Sequence, residues 1–206
     1  MGLTSTHLSL GSTERAVLAT PYAGQDTTKR VREWDLGCLA PAGGLSSSVA
    51  DLAKFLTINL QAGTADASPL SGGSLTELHT PQRIARDWAR GTGLAWIIDH
   101  NEDMGEVVWH NGAVAGFRSW VGFSPKWKLG AIVLTNCGRS VDELGAALLR
   151  EAVKHLGAVP PDLEATARKC IPHFTETPSD ELTAMFSKRF LEKVPPTVIK
   201  SVFKGL

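Results

Sequence analysis

The 206-residue sequence has no excess of charge of either sign, since 21 lysine and arginine residues balance 21 aspartate and glutamate residues. A balanced charge creates no overall field that would attract nucleic acid or an anionic membrane, so we predict no nucleic-acid partner. No apolar run approaches the roughly 18 residues that a transmembrane helix needs, so no membrane segment is predicted. The first residues show no charged segment followed by an apolar one, so the sequence contains no signal peptide of that form and leaves the compartment open.

Cysteine is also scarce, with Cys38, Cys137 and Cys170 far apart in the sequence. An odd number of cysteines without a Cys-x-x-Cys pair argues against a disulfide framework and against a structural zinc site. The histidines outside the motif described below show no metal-ligand spacing with one another or with cysteine. We therefore predict no metal site and no cofactor.

The order of the periodic patterns predicts an α+β fold, with an antiparallel sheet and flanking helices. Residues 1–42 show little periodicity and are predicted to be mainly loop. Ser48 is typical of a helix N-cap and precedes an amphipathic run. A second pattern of this kind, from Ser74 to Glu77, predicts a short helix that ends before Pro81.

From Gly93 onward, short apolar segments are separated by polar links that contain glycine, proline, asparagine or aspartate. These segments are residues 94–98, 106–109, 117–123 and 129–134. Their lengths and links predict an antiparallel meander. Residues 141–156 carry apolar side chains at helical spacing, including Leu144, Leu148 and Leu149, and so predict a helix that covers one face of the sheet.

The pattern changes after Gly157, where Pro160 and Pro161 interrupt the helical periodicity. The segment that follows is more charged and has its own apolar residues at helix-like spacing. We therefore predict a main unit over residues 1–158 and a helical appendage over residues 159–206, which would be the start of a further domain if the chain continues.

The residues best suited to chemistry are Trp109, His110, Asn111 and Gly112, at the end of a predicted strand. In one interpretation, His110 is a partly buried histidine at the strand end and Gly112 is a turn residue, neither with a functional role. In the other, Gly112 lets a ligand lie against the strand backbone while His110 supplies a hydrogen bond or a pH-dependent charge. These four residues alone leave both interpretations open.

Three longer segments add the context that the motif lacks. They are residues 41–56 (Pro-Ala-Gly-Gly-Leu-Ser-Ser-Ser-Val-Ala-Asp-Leu-Ala-Lys-Phe-Leu), residues 109–117 (Trp-His-Asn-Gly-Ala-Val-Ala-Gly-Phe) and residues 129–136 (Leu-Gly-Ala-Ile-Val-Leu-Thr-Asn). In this order they resemble the serine β-lactamase-related hydrolases, a penicillin-binding-protein-like group with class C β-lactamases, D-Ala-D-Ala carboxypeptidases, D-aminopeptidases and esterases. The resemblance runs from about residue 2 to residue 157 and implies a partial β-lactamase/transpeptidase-like fold.

In that family a Lys-Thr-Gly motif, or His-x-Gly in many peptidases and esterases, lies on a strand at the edge of the active site. The resemblance assigns His110, Asn111 and Gly112 to this motif, with Trp109 beside it, as substrate-binding residues. It assigns the backbone N–H of Ala113 to the oxyanion hole, where one donor contributes about 3–4 kcal/mol to acyl transfer. Histidine, unlike lysine, carries no permanent charge. Its presence in the motif therefore favours esterase or peptidase chemistry on a small ester or amide substrate over β-lactamase chemistry.

The family's serine nucleophile, in Ser-x-x-Lys, and its Tyr-x-Asn or Ser-x-Asn element are not at their expected positions. Tyr22 is the only tyrosine and is followed by alanine and glycine, so it does not form the second motif. One Ser-x-x-Lys occurs near the end of the chain, from Ser201 to Lys204, and a chance match explains it more simply than a circular permutation. The sequence therefore resembles the C-terminal part of such a hydrolase and is expected to be inactive alone.

Two functions are compatible with this pattern. In the first, the chain is a fragment of a serine hydrolase and supplies the substrate-binding strand, while upstream residues or another chain supply the nucleophile. In the second, it is a non-catalytic binding module or a truncated form of the same fold. Loss of covering helices would leave a sheet face uncovered and promote self-association. Relatives are often periplasmic or extracellular, which does not fix the location of this chain.

Overall fold

The computed structural model describes residues 1–24, 28–63, 69–85 and 89–156. The helices are α1 (Ser12–Val17), α2 (Ala40–Gly43), α3 (Val49–Asn59), α4 (Gly72–His79) and α5 (Asp142–Leu156), with a 3-10 turn at Gly37–Leu39. The strands are β1 (Arg83–Ile84), β2 (Arg90–Thr92), β3 (Ile97–Asn101), β4 (Gly105–Val114), β5 (Phe117–Ser124) and β6 (Leu129–Thr135). The predicted boundary after residue 158 and the Ser-x-x-Lys at residues 201–204 lie outside the described residues, so both stay predictions.

The six strands form one antiparallel sheet in chain order, which confirms the predicted meander and the α+β class. The sequence did not predict β1 and β2, which are too short to show a period. The first predicted strand, residues 94–98, is wrong in its position, because β3 begins only at Ile97. Ala95 has a φ of 62°, which bends the chain just before the strand.

Helix α3 begins where the sequence predicted, because Ser48 caps it. The Ser48 Oγ accepts a hydrogen bond from the Asp51 N–H at 3.3 Å. The buried carboxylate of Asp51 in turn accepts hydrogen bonds from the Ser5 N–H at 2.7 Å and the Thr6 hydroxyl at 2.9 Å. The start of α3 therefore anchors the N-terminal segment, and Lys54 adds an ion pair to the same carboxylate at 3.0 Å.

Helix α4 begins earlier than predicted. Its cap is Ser71, whose Oγ accepts a hydrogen bond from the Ser74 N–H at 3.1 Å, so Ser74 lies inside the first turn. The prediction that Ser74 opens the helix is therefore wrong, since a serine three residues upstream competes for the same role. The helix does end before Pro81, as predicted.

Helix α5 covers one face of the sheet, but not with all the leucines that the spacing indicated. Leu149 is buried, whereas Leu144 and Leu148 are exposed. Gly145 explains the difference, because a Cβ at this position would collide with the ring of Trp120. The helix therefore packs closely at Gly145, and Leu144 and Leu148 are turned outward.

The sheet separates two apolar clusters. On the α5 side the buried residues are Met104, Val107, Trp109, Trp120, Ala131, Val141, Leu149 and Val153. On the α3 side they are Leu56, Trp96, Ile98, Val108 and Phe123. Consecutive strand residues point to opposite faces, so the central strands β4 and β5 contribute buried residues to both clusters. This alternation decides which side chains of the predicted motif are free to meet a ligand.

Candidate functional site

The predicted motif lies in β4, next to a tight hairpin. Ala115 and Gly116 form the two-residue turn between β4 and β5, and both have positive φ, 43° and 82°. Two residues of this conformation match the twist of antiparallel strands, so the hairpin is compact. A Cβ at Gly116 would lie 2.7 Å from the Tyr22 carbonyl oxygen, which makes glycine necessary for close packing there. The hairpin thus gives the motif a fixed frame.

Strand β4 extends beyond its neighbour β3. Pairing with β3 ends at Trp109, opposite Ile97, whereas pairing with β5 continues to Val114, opposite Phe117. From His110 onward, β4 therefore has a strand partner on one side only. The motif lies along this open edge, where main-chain groups are not engaged by β3.

The pairing pattern shows which main-chain groups face the open edge. In a hairpin with a two-residue turn, Val114 and Phe117 form the closing hydrogen-bonded pair, and such pairs recur at every second residue. Gly112 and His110 are therefore bonded toward β5. The N–H and C=O groups of Asn111 and Ala113 point the other way, to the edge that β3 has left.

The imidazole of His110 is exposed and bonded to the strand itself. Its Nδ1 lies 2.6 Å from the main-chain oxygen of Asn111. Because a carbonyl oxygen only accepts hydrogen bonds, Nδ1 carries the hydrogen. In the neutral ring, Nε2 is then an acceptor.

Trp109 is nearly buried on the opposite face of the sheet. Its Nε1–H donates a hydrogen bond to Asp99 at 2.8 Å, and its ring stacks on Trp120 with 6.0 Å between centroids. The guanidinium of Arg90 lies 5.4 Å from the Trp109 ring centroid. It also makes two hydrogen bonds to Asp99, and these hydrogen bonds raise the pKa of Arg90. The indole therefore fixes β4 from its covered side.

Asn111 is held from the same side as Trp109. Its Nδ2 donates a hydrogen bond at 2.8 Å to the carboxylate of Asp142, in the first turn of α5. Trp109 and Asn111 flank His110, and each donates to a carboxylate, of Asp99 and Asp142 respectively. His110 and Gly112 are consequently the motif side chains on the opposite face.

Gly112 is paired with Ser119 in the neighbouring strand β5. A Cβ at residue 112 would collide with the Ser119 Oγ, so glycine leaves this hydroxyl room to lie over the strand. Ser119 occupies the same sheet face as His110, because it is the register partner of Gly112. No sequence pattern predicted a role for Ser119, Asp99 or Asp142, since each belongs to another segment of the chain.

The described residues contain neither a metal-binding cluster nor a helix long and apolar enough to cross a membrane. Cys38 and Cys137 are free thiols. Tyr22 lies in short main-chain bridges to Arg30 and Cys137, beside the β4–β5 turn. Whether Ala113, His110, Asn111, Gly112 and Trp109 meet a substrate stays a prediction at this point.

Known proteins share this arrangement of sheet and helices. The sequence model of the β-lactamase family matches residues 1–154. The chain belongs to the β-lactamase family. A comparison of the chain with curated protein sequences found no match.

Solved structures of family members have the same fold. A β-lactamase/D-alanine carboxypeptidase from Pseudomonas syringae is 21% identical, with a TM-score of 0.60 over 78% of this chain and 50% of its own. A class C β-lactamase from Rhodobacter sphaeroides is 19% identical, with a TM-score of 0.59 over 76% and 51%. A D-alanine carboxypeptidase from Burkholderia cenocepacia is 22% identical, with a TM-score of 0.56 over 66% and 46%. The chain thus spans about half the length of these structures.

Proposed function

We propose that the chain supplies the substrate-binding strand of a serine hydrolase that acts on ester or amide bonds through an acyl-enzyme, and that it lacks the Ser-x-x-Lys nucleophile. The open edge of β4 carries this proposal. There the Ala113 N–H points away from β5, and the residue is exposed. A free main-chain N–H at a fixed strand is suited to stabilise the oxyanion of a tetrahedral intermediate.

The motif residues take different parts in this proposal. His110 and Gly112 contact the substrate, because they share the face opposite to α5. Asn111 contributes its main chain at the open edge, while its side chain bonds to Asp142. Trp109 supports the strand through Asp99 and Trp120. Substrate binding thus uses one face and one edge of β4.

The nucleophile comes, in this proposal, from residues upstream in the native protein or from another chain. Acyl transfer needs a hydroxyl and a group that takes its proton, and the family provides both through Ser-x-x-Lys. In the 206 residues, this pattern occurs only at Ser201 to Lys204, outside the described residues. The strand alone would bind an acyl compound without cleaving it.

Covalent labelling tests the lack of a nucleophile. The purified chain is incubated with a fluorescent fluorophosphonate, a fluorescent penicillin and p-nitrophenyl acetate, beside the Ser201→Ala variant. We expect neither labelling nor hydrolysis above that of the variant. Stoichiometric labelling that Ser201→Ala abolishes would overturn the proposal, because the chain would then carry its own nucleophile.

A non-catalytic binding module is the second candidate, and the exposed leucines of α5 favour it. Leu144 and Leu148 are one helical turn apart and 59% and 48% exposed. An apolar pair on a helix surface suits self-association or a partner protein. Light scattering of the chain and of the Leu144→Lys/Leu148→Lys variant tests this. A wild-type chain that is monomeric at all concentrations would argue against self-association.

A further inference from the structure

Asn111 connects two parts of the molecule that the motif alone does not relate. Its side-chain amide donates to Asp142 on one face of the sheet, at 2.8 Å. Its main-chain oxygen accepts a hydrogen bond from His110 Nδ1 at the open edge, at 2.6 Å. The same residue therefore links the first turn of α5 to the imidazole of His110.

The carbonyl of Asn111 is available to His110 because β3 has ended. The pairing of β4 with β3 stops at Trp109, so the next main-chain oxygen that faces this edge, that of Asn111, has no strand partner there. His110 Nδ1–H satisfies it, which leaves Nε2 of the neutral ring as an acceptor. An imidazole free in water prefers the opposite tautomer, with hydrogen on Nε2. The strand thus imposes the less common form.

Asp142 is held at the start of a helix that packs on the sheet. It opens α5, and its N–H donates a hydrogen bond to the Ser140 Oγ at 3.3 Å. The helix is fixed to the sheet by the buried Leu149 and by the close approach of Gly145 to Trp120. Asp142 therefore ties the side chain of Asn111 to the first turn of α5.

We propose that Asp142 is a positioning residue that acts through Asn111 to hold His110 in its Nδ1–H form, with Nε2 as the acceptor that faces the ligand. The ligand group at this position is then a hydrogen-bond donor, such as an amide N–H, a hydroxyl or an ammonium group. A carboxylate is disfavoured, because two acceptors would face each other. The ligand part rests on the proposed role of β4 in substrate binding, whereas the tautomer does not.

Nitrogen-15 NMR of the histidine rings tests the tautomer. At pH 8 the shifts of the two ring nitrogens show which one carries hydrogen, and His110→Gln identifies the His110 signals by difference. We expect the Nδ1–H form to dominate in the wild-type chain. In Asn111→Ala and Asp142→Ala its ratio to the Nε2–H form should fall about threefold or more, as expected for loss of one supporting hydrogen bond.

Matched variants separate positioning from a general loss of structure. Glu143→Ala removes the neighbouring acidic charge in the same helical turn and should leave the His110 tautomer unchanged. The exchange Asn111→Asp with Asp142→Asn reverses donor and acceptor and should restore the Nδ1–H form. A wild-type Nε2–H form, or an unchanged ratio in Asp142→Ala, would overturn the positioning role.

Benzamide and benzoate test the ligand preference as a matched pair. At pH 8 benzamide offers N–H donors, whereas benzoate offers only acceptors. We expect a saturable shift of His110 Nε2 with benzamide, lost in His110→Gln spectra, and a shift at least about tenfold smaller at equal benzoate concentration. A larger shift with benzoate, or no shift with benzamide, would overturn the donor preference. The NMR test of the tautomer and the labelling test of the nucleophile do not depend on this outcome.

Discussion

Gly112 and Ser119 face each other across β4 and β5, so closely that a Cβ on residue 112 would collide with the serine Oγ. Glycine is needed at residue 112 because it has no side chain to collide with Ser119. A left-handed backbone is not the reason, since Gly112 does not have a positive φ, unlike Ala115 and Gly116 in the neighbouring turn. The hydroxyl of Ser119 gains a position over the strand, on the face that carries His110. Ser119 is therefore the residue of β5 that we expect to lie beside a ligand bound at His110.

Replacement of Gly112 by alanine should cost little stability. The colliding atom is the end of a side chain that can rotate, so we expect a loss of about 1 kcal/mol or less. Gly122→Ala should cost more, about 1–3 kcal/mol, because its Cβ would meet the ring of Trp120 and lie 2.8 Å from Trp109 Cβ. Urea denaturation of both variants measures the difference.

The double variant Gly112→Ala/Ser119→Ala provides the control for that experiment. Removal of the Ser119 hydroxyl should relieve the collision and return the free energy of unfolding toward the wild-type value. Equal losses in Gly112→Ala and Gly122→Ala, with no relief in the double variant, would show that Ser119 does not lie over Gly112.

The hydrogen bond from Trp109 to Asp99 should be separable from the stacking of the indole. Trp109→Phe keeps an aromatic ring against Trp120 and loses the Nε1 donor, so we expect a loss of about 1 kcal/mol. Trp109→Leu should cost more, because it removes the ring contact as well. If both variants were as stable as the wild type in urea, this support of β4 would be refuted.

His79 should make the chain sensitive to mild acid. Burial lowers the pKa of His79 from 6.5 to about 4, and its Nδ1 is buried without a hydrogen-bond partner among the described residues. The folded state therefore disfavours the protonated ring, whereas the unfolded chain accepts a proton near pH 6.5. Stability should be constant above pH 6.5 and should fall between pH 6.5 and pH 4. Urea midpoints across this range measure it.

His79→Gln is the matched variant for this prediction. It can still hydrogen-bond to Asn59, which lies 2.9 Å from His79 Nε2, and it has no proton to gain. Its urea midpoint should vary less than that of the wild type between pH 6.5 and pH 4. His155→Gln, at an exposed position, should behave like the wild type. An unchanged slope in His79→Gln would exclude His79 as the cause.

Asp51 should respond in a lower pH range. Burial alone would raise the pKa of its carboxyl, but the Ser5 N–H, Lys54 and the Thr6 hydroxyl lower it from 3.8 to about 2. Its contribution to stability is therefore present above pH 3.8 and is lost as the pH falls toward 2. Asp51→Asn should lower the urea midpoint at pH 7, and the exposed Glu77→Gln should not. Equal midpoints at pH 7 would contradict the anchoring role of Asp51.

The sequence predicted the parts of the fold that local patterns control. The Ser48 cap and the meander after Gly93 depend on neighbouring residues, and both are found. The starts of β3 and α4 were missed by a few residues, because Ala95 adopts a positive φ and Ser71 competes with Ser74 as a cap. Such choices depend on packing that a single segment does not reveal.

The sequence predicted the strand that carries the candidate site, but not the residues that surround it in space. Strand alternation alone separates His110 from Trp109 and Asn111, so the two faces could have been assigned from the sequence. The partners Asp99 and Asp142 could not, because they approach from other elements. The open edge also escaped prediction, since it depends on where β3 ends relative to β4.

Ala113→Pro gives the most direct test of the central claim, that the open edge of β4 binds the acyl group through the Ala113 N–H. Proline removes this N–H, but no hydrogen bond to β5 is lost because the Ala113 N–H points to the open edge. Proline is tolerated at such edge positions of a sheet. The probe is phenyl methylphosphonate, a tetrahedral anion that resembles the intermediate of ester cleavage, and binding is followed by amide NMR shifts. We predict that the Ala113 amide shifts most in the wild-type chain and that the folded variant binds at least about tenfold more weakly. Equal binding by the two proteins would contradict the account.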